Sequence, residues 1–217
     1  MPDRNKVSSL DKVSSLNKVS AGTFDNAYYD HFYGNKSVHT AKQVHVLAGA
    51  IHGLCAWWGL DIGSVLDVGA GPGFWRDWYR TNHPRVKVTS TDVSPYACET
   101  YGHTQADIST WTPPRGFDLV ICHSVLQYPD NAAAKSAIAN LGAGTAHFMY
   151  LEVPTTHDYD ETVDPRSTDM NVHRRSAAWY RRELNRHFRQ VGGGLWQSHA
   201  SNIPMYELEV APVSSRA

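Results

Sequence analysis

The chain of 217 residues has only three cysteines, Cys55, Cys98 and Cys122, with no paired spacing among them. An odd, unpaired set excludes a disulfide framework and points to a reduced, cytoplasmic protein. Charge of one sign is also lacking: 20 Lys and Arg against 21 Asp and Glu leave a net charge of −1. Without a basic surplus there is no electrostatic footprint for nucleic acid. No apolar run is long enough to span a bilayer, so no membrane partner is expected, and no signal-peptide pattern opens the chain. The twelve histidines are scattered, with no H-x-x-x-H or HExxH pair, so no metal site is expected. The length suits one domain with a sizeable core.

What is present centres on Ser64–Phe74, SVLDVGAGPGF. Val65, Leu66 and Val68 around a single acid, Asp67, read as a buried parallel strand. Glycines at 69, 71 and 73 close it in a tight turn, and FWRDWYR can start a helix at once. Such a turn lets backbone approach a ligand and presents free N–H groups at the helix start. Strand, glycine turn and helix form the first unit of a nucleotide-cofactor fold. The dinucleotide fingerprint wants its third glycine where Phe74 stands, and here the spacing is G-x-G-x-G instead.

Before this unit, residues 5–22 repeat as NKVSSL, DKVSSL, NKVSAG, with apolar residues every third position. A strict three-residue step drifts around an α-helix and makes no coherent face. Residues 1–22 are therefore expected to be a flexible tail, with a partner-binding arm as the alternative. Phe24–Tyr33, FDNAYYDHFY, reads either as a staple holding the N-terminal arm on the body or as a lid whose rings face a cation. Ser37 is expected to cap a helix running to about Trp58, with Val44, Ala48, Ile51 and Cys55 on its apolar face. His45 and His52 read as ordinary surface residues of that helix. Residues 23–59 are thus expected to form an arm or lid, and residues 60–213 the main α/β domain.

Beyond the glycine turn, Val86–Thr91 reads as a second strand ending in Asp92, 19 residues past Gly73. An acid closing that strand suits the two ribose hydroxyls of a nucleotide cofactor. Asp107-Ile108 follows a short third strand, and FDLVIC over Phe117–Cys122 is the central fourth, ending at His123. Ala132–Leu141 is the next helix, and His147–Val153 the fifth strand, with Glu152 at its exit. The long polar connection Pro154–Arg175 leaves the same sheet edge as His123. Ser176–Phe188 reads as a helix whose arginines are a solvated face. Leu195-Trp196 and Met205–Val210 read as a closing antiparallel hairpin.

LDVGAGPG, the Asp92 spacing, Asp107-Ile108 and FDLVICHS cover roughly residues 60–155 in one order. In this the chain resembles the class I S-adenosylmethionine-dependent methyltransferases, in particular the small-molecule branch with type 11/12/25-like domains. The resemblance implies an α/β fold, a Rossmann-like seven-stranded sheet with helices on both faces and a C-terminal antiparallel hairpin. It also implies S-adenosylmethionine as cofactor. Gly69, Ala70, Gly71 and Gly73 would admit its methionine part, and Asp67 would position its amino group. Asp92 with Val93 would hold the ribose. Asp107 and Ile108 would take the adenine, unless Asp107 is only a turn acid. Tyr29, Tyr33, Cys122 and His123 complete the implied cofactor set. CHSV stands where nucleic-acid amino-methylating enzymes of this class carry an Asn or Asp followed by Pro-Pro-aromatic. That favours a small-molecule methyl acceptor over nucleic acid.

His123 and Glu152 are the catalytic candidates: a histidine near neutral pKa can take a proton from an oxygen or nitrogen nucleophile. His123 as a backbone-bonded strand-end histidine is the plainer alternative. His157, Tyr159 and His173 lie on the connection that would close over both. The rival readings are a protein or peptide methyltransferase, a nicotinamide oxidoreductase, which Phe74 disfavours, and a cofactor-binding partner without catalysis. A monomer or homodimer is expected.

Overall fold

The computed structural model describes residues 21–34, 38–114 and 116–211. The expected tail lies outside the described residues but for its last two, as do Ser37 and residues 212–213 of the expected catalytic span.

Helix α1 (Asn26–Tyr33) starts at Asp25, whose side chain accepts the Tyr28 N–H. Helix α2 (Ala41–Trp57) starts at Thr40, where a capping box with Gln43 satisfies two orphan donors. The cap is therefore Thr40. Strand β1 (Ser64–Val68) leads through the glycines into α3 (Phe74–Asn82). Strand β2 (Lys87–Asp92), α4 (Pro95–Tyr101) and the two-residue β3 (Thr104–Gln105) follow. Next come β4 (Phe117–His123), α5 (Asn131–Gly144) and β5 (Thr145–Glu152).

The seven strands lie in the order β3-β2-β1-β4-β5-β7-β6, where β6 is Phe188–Gly192 and β7 is Leu195–Ser198. The first five run parallel, and β7 enters antiparallel between β5 and β6. Side chains alternate across this sheet. Val65, Leu119, Ile121 and Phe148 pack against α2 and α3 residues such as Ala48 and Tyr79. Leu66, Val120, Cys122 and Met149 face the opposite core with Ile138 of α5 and Leu184 of α7 (Ala177–Leu184). Both faces are covered, as an α/β sheet requires. No helix of the described residues is long and apolar enough to cross a membrane.

Three expectations need correction. The hairpin joins β6 to β7 through Gly192, Gly193 and Gly194, all at positive φ. Met205–Val210 forms no strand and contains a short 3-10 turn at Glu207–Glu209. β7 is already bonded on both sides, and Pro204 has no N–H to offer a ladder. Helix α7 ends at Leu184, so Phe188 belongs to a strand. Arg182 of the helix and Arg186 just after it pair with the buried Glu183. The connection after β5 contains helix α6 (Thr156–Glu161), started by a Thr155–Asp158 capping box.

Candidate active site

Two adjoining cavities open outside the carboxyl ends of the parallel strands, where ligands of open α/β sheets sit. The first, of about 580 Å³, lies over β1, β2 and β4. It is lined by Gly69, Gly71, Asp92, Val93, Asp107 and Ile108, with Tyr29 and Tyr33 from α1. The second, of about 430 Å³, holds Asp67, Ala70, Trp75, His123, Gln127 and Glu152 in its wall. Tyr28, Tyr33, Gly69, Ser124 and Tyr128 line both, so they mark the junction.

The first cavity is built on the glycine turn. Gly69 and Gly73 sit at φ 64 and 83. A Cβ on Gly69 would fall 2.4 Å from a Val125 methyl, and one on Gly73 2.5 Å from the Arg76 guanidinium. Only glycine fits either place. Asp92 stabilises the turn from β2: one oxygen accepts the Gly71 N–H at 2.9 Å, the other the Ser94 N–H at 2.9 Å. His103 supports it as well, because the Gly71 carbonyl can only accept, at 2.9 Å, and so fixes the proton on Nε2. Its Nδ1 then accepts from Ser90 and Arg76, and burial lowers its pKa, as the neutral ring requires. Asp107 accepts the Ser109 N–H and hydroxyl, which is a turn role, and its residue also lines the cavity.

Aromatic packing holds α1 over this site. Phe24 and Tyr29 cluster with Ala97, Tyr96 and Tyr101 of α4, and the Tyr28 and Tyr128 hydroxyls meet at 2.7 Å. The arm is thus a staple and a cavity wall at once.

Asp67 is a buried acid in the wall of the second cavity, two residues before Gly69 at the junction. One oxygen receives the Arg76 backbone N–H, while Oδ2 has no partner among the described residues. Burial raises its carboxyl to about 7, against the lowering effect of Arg76. A buried carboxylate with an unpartnered oxygen on a cavity wall is a place for a cationic donor.

His123 and Glu152 are register partners on β4 and β5, so both side chains leave the same sheet face. The Trp75 indole N–H can only donate, and it reaches His123 Nδ1 at 3.1 Å. The imidazole proton therefore sits on Nε2, which donates to Glu152 at 3.0 Å. Glu152 also receives the Tyr150 hydroxyl at 3.0 Å and lies 3.3 Å from His39 Nε2. Burial raises the Glu152 carboxyl, but the His123 and His39 hydrogen bonds outweigh it and hold the group well below the usual carboxylate range. The same pairing raises His39. These three side chains bring potential ligand atoms within 4.8 Å of one another. A cation on His123 Nε2 would move the proton to Nδ1, where it would face the Trp75 N–H. The hydrogen bonds thus fit an ionic triad better than a metal.

Two residues expected to touch cofactor line neither cavity. Gly73 is the left-handed first turn of α3, filled by Arg76. Cys122 is fully buried in the core, and its thiol pKa is raised by burial. His157 is exposed and away from both cavities, His173 lines the first, and Tyr159 the second. His52 stacks on His83 at 3.8 Å, away from the site. Trp75, His39, Gln127 and Asp169 were not singled out by sequence. For Trp75, a helical position facing the strand-end histidine was the available signal.

No protein-family profile matches the chain. A trans-aconitate 2-methyltransferase of Azoarcus sp. (strain BH72) is 27% identical over 158 residues, 64% of this chain and 61% of that protein. A second, of Methylobacterium radiotolerans, is 34% identical over 76 residues, 31% of this chain and 29% of its own length. The chain therefore spans less than two thirds of these curated relatives. Among solved structures, the magnesium protoporphyrin IX methyltransferase of Synechocystis PCC 6803, with bound SAH, has a TM-score of 0.55 at 16% identity. That match covers 81% of this chain and 95% of the other. The plantazolicin methyltransferase, also with SAH, gives 0.52 at 12% identity, over 67% of this chain and 61% of its own.

Proposed function

We propose that this chain, a class I S-adenosylmethionine-dependent methyltransferase by its fold, moves a methyl group from that cofactor to an oxygen or nitrogen of a small molecule. The observation that carries the reading is Asp67, a buried carboxylate in the wall of the second cavity, two residues before Gly69 at the junction. One of its oxygens is unpartnered among the described residues and suited to the cofactor's amino group. Asp92 would receive the ribose hydroxyls while holding the Gly71 N–H. Ile108 and Val93 would face the adenine side of the same cavity, with Asp107 at its edge. Tyr28 and Tyr33 would stand at the junction, where ring faces favour a cation.

When bound, the cofactor supplies a methyl group on an electrophilic sulfonium. The chain's own work is then to orient the acceptor and manage its proton. Nδ1 carries the only free lone pair of the His123 ring and takes the Trp75 N–H at rest. His123 therefore accepts a proton only by releasing Trp75 or by first passing its Nε2 proton to Glu152. We assign His123 and Glu152 to that task as one unit, with His123 taking the acceptor's proton and Glu152 orienting the ring and balancing the imidazolium that forms. Residues 23–59 serve as the covering arm and residues 60–213 as the catalytic domain. Two curated relatives are named for trans-aconitate, but among the described residues no lysine or arginine lines the acceptor-side cavity to receive such an acid.

Calorimetric titration tests the cofactor. S-adenosylmethionine or S-adenosylhomocysteine should bind with NAD failing to compete. Tight NAD binding, or no binding of either adenosyl compound, overturns the reading.

A further inference from the structure

We infer that the acceptor-side cavity takes an amine, a nitrogen compound that is cationic or rich in N–H donors, and discriminates against carboxylates. The inference rests on the methyltransferase reading and narrows its acceptor. Lysine and arginine are absent among the described residues lining this cavity, whereas Glu152, Asp158 and Asp169 all reach its wall. Asp158 is occupied by its capping box, and Glu152 is partly offset by His39. Asp169 is not offset. It accepts only the Asn171 N–H, with no cation within ion-pair distance among the described residues. Its charge adds to burial in raising the Tyr159 hydroxyl to about 12, so the carboxylate stands close to the aromatic wall.

A second, independent observation concerns unfilled hydrogen bonds. Gln127 is 4% exposed and Tyr159 is 5% exposed, and both line this cavity. Gln127 gives its N–H to the Ser124 carbonyl, and its Oε1 has no donor among the described residues. The Tyr159 hydroxyl has no partner among them either. An unsatisfied buried amide oxygen is costly, and an N–H of the occupant would satisfy it. A carboxylate offers no donor and would face Asp169 with like charge. Rings of Tyr28, Phe32, Tyr33 and Tyr128 complete the wall, a setting that favours a cation over an anion. One face of Tyr159 is already covered by Arg174 at 5.0 Å, so Tyr159 contributes its hydroxyl rather than that face.

The test uses the full chain saturated with S-adenosylhomocysteine and two probes that share a phenylethyl group, 2-phenylethylamine and 3-phenylpropionate. Calorimetry should find the amine bound at least about tenfold more tightly than the acid. Asp169→Asn should narrow that ratio by about threefold or more, and Glu152→Gln should narrow it further. An acid that binds as well as the amine, no measurable amine binding, or a ratio unchanged in both variants overturns the proposal. Absence of S-adenosylhomocysteine binding in the first titration would instead remove the methyltransferase reading. The probe comparison, repeated without it, would still report the cavity's preference.

Discussion

The cofactor-side and acceptor-side cavities share five residues but are built from different material. The first is anchored on backbone: the turn that Gly69, Gly71 and Gly73 permit and an acid that holds it from the neighbouring strand, walled by side chains such as Tyr29 and Ile108. The second is side chains drawn from α1, α3, the ends of β4 and β5, and the connection after β5. A site made of backbone tolerates little change and serves one kind of ligand. A site made of side chains on several elements can be re-lined without disturbing the sheet. The difference suggests where specificity resides: a common cofactor on one side, and an acceptor particular to this chain on the other.

The largest expected break is on the acceptor side. His123→Gln keeps hydrogen bonding but cannot take a proton at neutral pH. It should cut turnover with an accepted amine by roughly 10²–10⁴ while cofactor affinity stays level. Full activity, read as S-adenosylhomocysteine released, would leave catalysis to orientation alone. On the other side, Asp92→Ala removes a charge-assisted partner of Gly71, Ser94 and the ligand. Cofactor affinity should fall by about 1.5–3 kcal/mol, with a lower melting temperature because two N–H groups lose their acceptor. An unchanged calorimetric affinity would show that the acid does not face the ribose.

Gly69→Ala sharpens the same contrast without touching charge. The residue must keep a positive φ beside Val125, so the fold should lose about 1–3 kcal/mol in denaturant titration. Retained stability would mean that the turn can relax.

Asp67 provides a pH test. Its folded-state pKa, about 7, lies above the ordinary carboxylate value, so the fold holds this proton more tightly than the unfolded chain does. Its penalty on the ligand-free fold is absent below about pH 4 and grows as pH rises to about 7. A cationic amino group bound there favours the ionised acid, so cofactor binding at pH 6 should release a proton. Titration in two buffers of different ionisation enthalpy measures that release, and Asp67→Asn should abolish it. The smallest effect is expected for Tyr28→Phe, which removes only the 2.7 Å hydroxyl pair with Tyr128, about 1 kcal/mol by thermal denaturation.

The glycine turn and the acid that closes β2 were legible in the chain because their signals are local. Asp67, Gly69 and Gly71 stand within one strand and turn, and Asp92 within the next strand. The family resemblance also implied Gly73 and Cys122 at the ligand, whereas the fold uses one for a helix start and the other for the core. The acceptor side was only half legible. His123 and Glu152 could be named as strand-end residues, but their contact depends on the register of β4 against β5. Trp75, which fixes the His123 proton, comes from a helix 48 residues earlier. The C-terminal hairpin turns on the glycine run at 192–194, whereas the apolar residues at 205–210 mimic a strand that β7, bonded on both sides, has no edge to accept.

The sequence by itself determined the parallel strands, the glycine turn and the acid that closes β2, because alternation, positive φ and strand-end chemistry are properties of neighbouring residues. Only the tertiary structure decided which histidine nitrogen carries the proton, that Glu152 answers to both His39 and His123, and that Gln127 and Tyr159 are left unpartnered beside Asp169. Those facts depend on side chains far apart in the chain meeting at one sheet edge, where the pleat sets which face each takes and burial sets what each must bond.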